Sequence, residues 1–185
     1  MQITAIDQYL YQITDILPVD LLTELTATDW LNWPYPLDAI EEGNRKSLAV
    51  TGVLEQVNQY IIDITPTIQQ HIGIIFDNLP HIANTNWWLD TENFTSGKHS
   101  DTNIAASMQL YWHGVETLGT IFFEEDKITV KKHFVFEPNT GYLILNQNSN
   151  PVLRTVTNLH HMPTSVPAGQ YRVSSYTGFT DYTDK

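Results

Sequence analysis

Twenty-one acidic and nine basic side chains in 185 residues leave a net charge of −12, which opposes broad contact with duplex DNA or RNA. There is no cysteine, so disulfides and thiolate metal sites are excluded, and any metal must be held by His, Asp, Glu or backbone oxygen. With 42% hydrophobic and 11% aromatic residues the chain can bury a sizeable core, and its length suits one domain over residues 1–185.

The N-terminus lacks a basic flank and a long apolar run, so no signal peptide is expected. No window reaches eighteen apolar residues, which argues against a membrane span. Together with the absence of cysteine, this fits a cytoplasmic protein. Residues 1–27 read as a weak strand and then a short helix opened by Pro18, with Val19, Leu21, Leu22 and Leu25 on its apolar side. Trp30, Trp33, Pro34, Tyr35 and Pro36 form an aromatic loop that either plugs one end of the core or walls a ligand cleft, with Arg45 close in sequence. Residues 50–80 read as helical, because Leu54, Val57, Ile61, Ile64 and Ile68 recur at threes and fours. Pro66 is expected to divide that run into two helices.

Beyond Pro80 the character changes, and from residue 99 the pieces are short, β-rich and separated by turns. Candidate strands cover 106–112, 120–123, 128–136, 142–145, 152–156, 162–166 and 171–176. The expected architecture is mostly β, a sandwich or barrel with helices packed outside it. On this reading 1–84 is a helical support region, 85–178 the β core and 179–185 a polar tail that frays.

Gly97-Lys98-His99-Ser100-Asp101 stands where the helical half ends and the β half begins. In an extended segment His99 and Asp101 point the same way while Ser100 points away. A second imidazole from a distant strand would complete a 2-His-1-carboxylate set, which leaves open positions on a non-haem Fe(II). His160 and His161 are the adjacent pair that can supply it, and only one of them can share a face with the first two. His160 is preferred because Met162 shares its face and can pack inward; His161 is the alternative. H-E-x-x-H, a P-loop, G-x-G-x-x-G and a serine nucleophile elbow are all absent.

Arg172 is one of three arginines, in a Tyr-Arg-Val-Ser-Ser-Tyr segment with Ser174 on the same face. An inward guanidinium needs an anion, and its fork suits a carboxylate. The competing reading is an exposed strand arginine bonded to one of the many acidic side chains.

In order and spacing, His99, Asp101, His160, Arg172 and Ser174 resemble the Fe(II)- and 2-oxoglutarate-dependent oxygenases, particularly small prolyl-hydroxylase-like members of bacteria and phages. Met108-Gln109-Leu110-Tyr111, Leu118-Gly119-Thr120-Ile121-Phe122 and the stretch from Phe136 to Leu143 resemble the family's intervening segments. The resemblance covers residues 85–178 and implies a double-stranded β-helix (a cupin-like jelly roll) behind an α-helical N-terminal half. It also implies Fe(II) as cofactor and 2-oxoglutarate as cosubstrate. The metal would be held by His99, Asp101 and His160, with the far carboxylate on Arg172 and Ser174 and a further hydrogen bond from Tyr111. The implied reaction is O2-dependent hydroxylation of a peptidyl residue or small molecule, releasing succinate and CO2. Arg45, Trp88 and Trp112 are candidate walls of the substrate cleft. The alternative function is a non-catalytic binding or structural protein on the same scaffold.

Overall fold

The computed structural model describes residues 1–36, 41–76, 85–101, 104–146, 159–179 and 182–184. Two helices occur among them, α1 (Val19–Thr26) and α2 (Val53–Ile72). Thirteen strands follow the chain as β1 (Gln2–Ala5), β2 (Leu10–Thr14), β3 (Glu41–Glu42), β4 (Arg45–Ser47), β5 (Ile74–Phe76), β6 (Thr85–Thr91), β7 (Ala106–His113), β8 (Gly119–Phe123), β9 (Val130–Val135), β10 (Thr140–Leu145), β11 (His161–Pro163), β12 (Tyr171–Phe179) and β13 (Tyr182–Asp184).

Eight strands form one sheet in the order β1-β2-β10-β7-β12-β6-β4-β3. A three-stranded sheet, β11-β8-β9, packs on one of its faces, and β13 pairs with β5 in a separate ribbon. Strand alternation explains the layering. Met108, Leu110 and Trp112 of β7 join Leu143 of β10 and Val173 of β12 in a core with Leu54, Val57, Ile61 and Ile68 of α2. The intervening residues Tyr111 and Tyr142 pack on the other side, against Phe122 and Phe134 of the small sheet. The molecule is thus helix, large sheet and small sheet in three layers, with the cavity described below on the small-sheet side.

Four sequence-based expectations are corrected here. No ladder joins the small sheet to the large one among the described residues, so the strands form open sheets in a mixed α/β arrangement and not a closed double-stranded β-helix. The N-terminal half is not simply helical, since β1, β2, β3 and β4 all enter the large sheet. These strands were hard to read because their partners lie far away: Thr14 pairs with Thr140 and Arg45 with Asp90. Finally, Pro66 lies inside one continuous helix. It sits on the exposed side, where the N–H it lacks would have faced water. Burying four aliphatic side chains of α2, at roughly 1.5–3 kcal/mol each, outweighs a proline cost of about 3 kcal/mol. The C-terminal segment also differs from a frayed tail, because β13 pairs with β5 from Tyr182 to Asp184. The candidate strand at 152–156 lies outside the described residues.

Candidate active site

The site begins with a backbone contact between distant segments. His99 and His161 form an isolated antiparallel bridge, His99 N–H donating to the His161 carbonyl at 3.0 Å and His161 N–H returning to His99 at 2.8 Å. Residues that exchange both bonds sit opposite each other with side chains on one face. The two imidazoles accordingly lie 4.5 Å apart, centroid to centroid. Asp101, two residues beyond His99, turns to the same side. One ligand atom from each of His99, Asp101 and His161 lies within 4.8 Å of the others.

Hydrogen bonds decide which atoms face inward. The Nδ1 of His99 lies 2.7 Å from the Gly97 carbonyl, and that of His161 lies 3.2 Å from the Leu159 carbonyl. A carbonyl only accepts, so each Nδ1 carries the proton and each Nε2 keeps its lone pair for a metal. Asp101 Oδ2 accepts from Ser107 Oγ at 2.9 Å and from the Tyr176 hydroxyl at 3.2 Å. Its other oxygen, Oδ1, is 4.0 Å from His161 Nε2. Burial pushes the His161 imidazole below its ordinary value, with the Asp101 carboxylate opposing part of that shift, so the ring is neutral near pH 7. Two imidazoles with inward Nε2 atoms and an oriented carboxylate make a 2-His-1-carboxylate set whose donors suit Fe(II).

His160, the preferred distal ligand in the sequence reading, is not part of this cluster. It lines a separate hollow with Asp7 and Glu124, while His161 lines the cavity that holds His99 and Asp101. The one-residue error follows from alternation along an extended segment, where neighbours face opposite ways. Pairing with His99 sets the register, and that long-range contact left no local trace.

The cavity, about 290 Å³, is floored by parallel rows of side chains on the large sheet. One row crosses β4, β6 and β12 as Arg45, Asp90 and Arg172. The next holds Trp88, Ser174 and Tyr111, and the third holds Asn86, Tyr176, Gln109 and Tyr142. Tyr176, which bonds Asp101, stands four residues along β12 from Arg172, a backbone span of about 13 Å. One end of the floor is therefore metal-ligating and the other cationic.

At the cationic end, Asp90 is fully buried and takes both guanidinium groups. Arg45 Nε donates to Oδ1 at 2.6 Å and its terminal nitrogen to Oδ2 at 2.9 Å. Arg172 Nε donates to Oδ2 at 2.7 Å, and another of its nitrogens donates to the Thr164 carbonyl at 3.2 Å. Arg172 is 4% exposed, so it is an inward arginine, although an internal carboxylate already meets one edge of its fork. Ser174 is buried beside it on the cavity face. Tyr111 also lines the cavity, but its hydroxyl donates to Thr120 Oγ1 at 2.7 Å, and burial raises its ionisation well above the ordinary value, keeping the phenol neutral. Gly119, with φ +147°, allows β8 to start where any Cβ would strike the Phe134 carbonyl, and so places Thr120 opposite Tyr111.

Arg45 and Trp88 line the cavity, whereas Trp112 does not. Trp112 is buried on the helix side, stacked 5.5 Å from Trp87, with its indole N–H on Ser175 Oγ at 2.9 Å. The strand period puts it opposite Tyr111 and forbids a shared face. Trp30 likewise packs in the helix-side core, so the aromatic loop plugs that core. Lys98 turns away, over the Phe123 ring and toward the Lys127 carbonyl. Asp90, Ser107, Gln109 and Tyr176 were missed. The signal for three of them was present: Tyr176 continues the Arg172-Ser174 alternation, and Ser107 and Gln109 continue that of Tyr111.

No family model and no curated protein matches the sequence. Solved structures do. The 2OG complex of a viral collagen prolyl hydroxylase from Paramecium bursaria Chlorella virus-1 superposes with a TM-score of 0.61 at 13% identity, over 94% of this chain and 96% of that one. A Pseudomonas putida prolyl-4-hydroxylase gives 0.57 at 16% identity, over 93% and 92%. An oxidoreductase of the 2OG-Fe(II) oxygenase family from Burkholderia pseudomallei gives 0.59 at 12% identity, over 94% and 84%. The chain has the fold of these 2OG-Fe(II) oxygenases. Within that fold, His99, Asp101 and His161 form a cluster that could hold a metal ion.

Proposed function

We propose that the protein is an Fe(II)- and 2-oxoglutarate-dependent dioxygenase that hydroxylates a peptidyl residue or a small molecule. The observation that carries this is the convergence of His99, Asp101 and His161 at one end of a cavity whose other end holds Arg172. His99 Nε2, His161 Nε2 and Asp101 Oδ1 are the atoms that would hold the metal. Bound Fe(II) would supply the redox chemistry that couples O2 and 2-oxoglutarate to insertion of one oxygen atom into a C–H bond, with succinate and CO2 as co-products.

The chain's own residues supply orientation. The carbonyls of Gly97 and Leu159 fix the two imidazole tautomers. Ser107 and Tyr176 hold the carboxylate so that one oxygen faces the metal position. Arg172, with Ser174 beside it, is suited to the far carboxylate of 2-oxoglutarate, and Tyr111 shapes the wall between the two ends. Trp88 lies at the same cavity and is suited to a substrate contact. A peptidyl substrate is supported by the likeness to two prolyl hydroxylases, and a small molecule by the modest cavity. Among the described residues no helix is long and apolar enough to cross a membrane; a cytoplasmic location is part of this proposal.

Turnover without a known substrate tests the reading. Fe(II)-loaded protein should release succinate from 2-oxoglutarate slowly and only with O2, and a substrate screen should accelerate that release alongside a mass gain of about 16 Da, one oxygen atom. Folded, iron-loaded protein that never releases succinate, alone or with any substrate tried, would remove the proposal.

A further inference from the structure

Among the described residues, Arg45 is the one strongly basic group at the cavity that the reaction as proposed leaves without a task. It comes from β4, on the far side of Asp90 from Arg172, and its side chain is 24% exposed. Its guanidinium lies 4.2 Å from the centroid of the Phe94 ring, and that of Arg172 lies 5.4 Å from the same ring. Two cations thus share one aromatic ring and one carboxylate. Asp90 neutralises one of them, which leaves a surplus positive charge at this end of the cavity. Such a surplus is costly unless an anion answers it. Arg172 keeps one terminal nitrogen with no protein partner among the described residues, and Arg45 likewise keeps one.

A charge count says which ligand answers the surplus. Fe(II) contributes two positive charges, Arg45 and Arg172 two more, and Asp90 and Asp101 remove two. The remainder is the charge needed by a dianion, and a 2-oxo dicarboxylate supplies it. An anionic primary substrate would then have no cation left for it.

We infer that Arg45 is a second cosubstrate-binding arginine, which joins Arg172 around the shared Asp90 carboxylate to seat the far carboxylate of a 2-oxo dicarboxylic acid. This rests on the proposed function and assigns Arg45 to the cosubstrate and not to the substrate cleft. The two guanidinium groups are preorganised by Asp90, so the ligand orders neither of them on binding. Trp88, 5.1 Å from the Arg45 guanidinium, closes the outer side of the pair.

The test uses calorimetric binding to full-length protein loaded with Mn(II), a redox-inert stand-in. Two ligands are compared, 2-oxoglutarate and 2-oxobutyrate, which chelate alike but differ in the far carboxylate. Wild type should prefer 2-oxoglutarate. Arg45→Gln should weaken 2-oxoglutarate about tenfold, the lower range for a charge-assisted hydrogen bond, and leave 2-oxobutyrate within about twofold. Arg45→Lys, which keeps the charge and loses the fork, should fall between the two and covers the case in which the glutamine variant does not fold. An equal loss for both ligands, or no loss for either, in a folded variant would overturn the assignment. Wild type that binds Mn(II) but not 2-oxoglutarate would overturn the proposed function itself, and this inference with it.

Discussion

Asp90 shows how much a single side chain can settle. It is fully buried, lies between two arginines and has no role in holding metal. Removing one partner of a buried charge pair costs about 3–5 kcal/mol, because the remaining charge is left uncompensated. Asp90→Asn should therefore destabilise the protein by an amount near the lower bound, since Arg45 is partly exposed and can turn to solvent. Urea denaturation measures the loss, and metal stoichiometry should stay at one per chain. His161 carries a pH prediction at the same scale. Its imidazole is held below the ordinary value of 6.5 by burial, so between the folded and unfolded values the unfolded chain binds more protons. The stability it contributes is complete above about pH 6.5 and is lost as pH falls below that. His113, also lowered by burial, adds a slope of the same sign. Thermal unfolding of the metal-free protein should thus move to lower temperature from pH 7.5 to 5.5, and less steeply in His161→Asn. An equal slope in the variant would show that His161 does not contribute.

At the scale of elements, β7 separates the two kinds of function that a strand can serve. Ser107, Gln109 and Tyr111 face the cavity side, while Met108, Leu110 and Trp112 face α2. Trp112→Ala should cost about 3–5 kcal/mol, as for a fully buried aromatic, and leave metal and 2-oxoglutarate affinities within about twofold. A selective loss of ligand binding with unchanged stability would contradict the assignment of Trp112 to the core. The same strands show what could be read in advance. Period-two alternation made His99 with Asp101, and Arg172 with Ser174, visible as pairs, and 3.6-residue periodicity made α2 visible. Pairing partners left no such pattern. The choice between His160 and His161 depends on a bridge to a residue 62 positions away. The entry of β2 and β4 into the large sheet depends on β10 and β6. Open or closed sheets are likewise decided by ladders between distant segments, which is why the jelly-roll expectation failed although His99 and Asp101 do meet in one cluster.

For the whole molecule, three layers bring metal-ligating and cationic groups to opposite ends of one cavity, in a chain whose net charge is −12. That background opposes the approach of a dianion, so the two arginines act against the field of the rest of the protein. Iron and 2-oxoglutarate should consequently bind in a linked manner, the metal supplying attraction that the surface does not. The measurement that bears most directly on this account is an anaerobic titration of the metal-free protein with Fe(II) in the presence of 2-oxoglutarate, followed by visible absorption. The account predicts a weak charge-transfer band that saturates at one Fe(II) per chain, persists in His160→Ala and is abolished in His161→Ala. A folded wild type that takes up Fe(II) and shows no band with 2-oxoglutarate, or a band lost in His160→Ala and kept in His161→Ala, would contradict it.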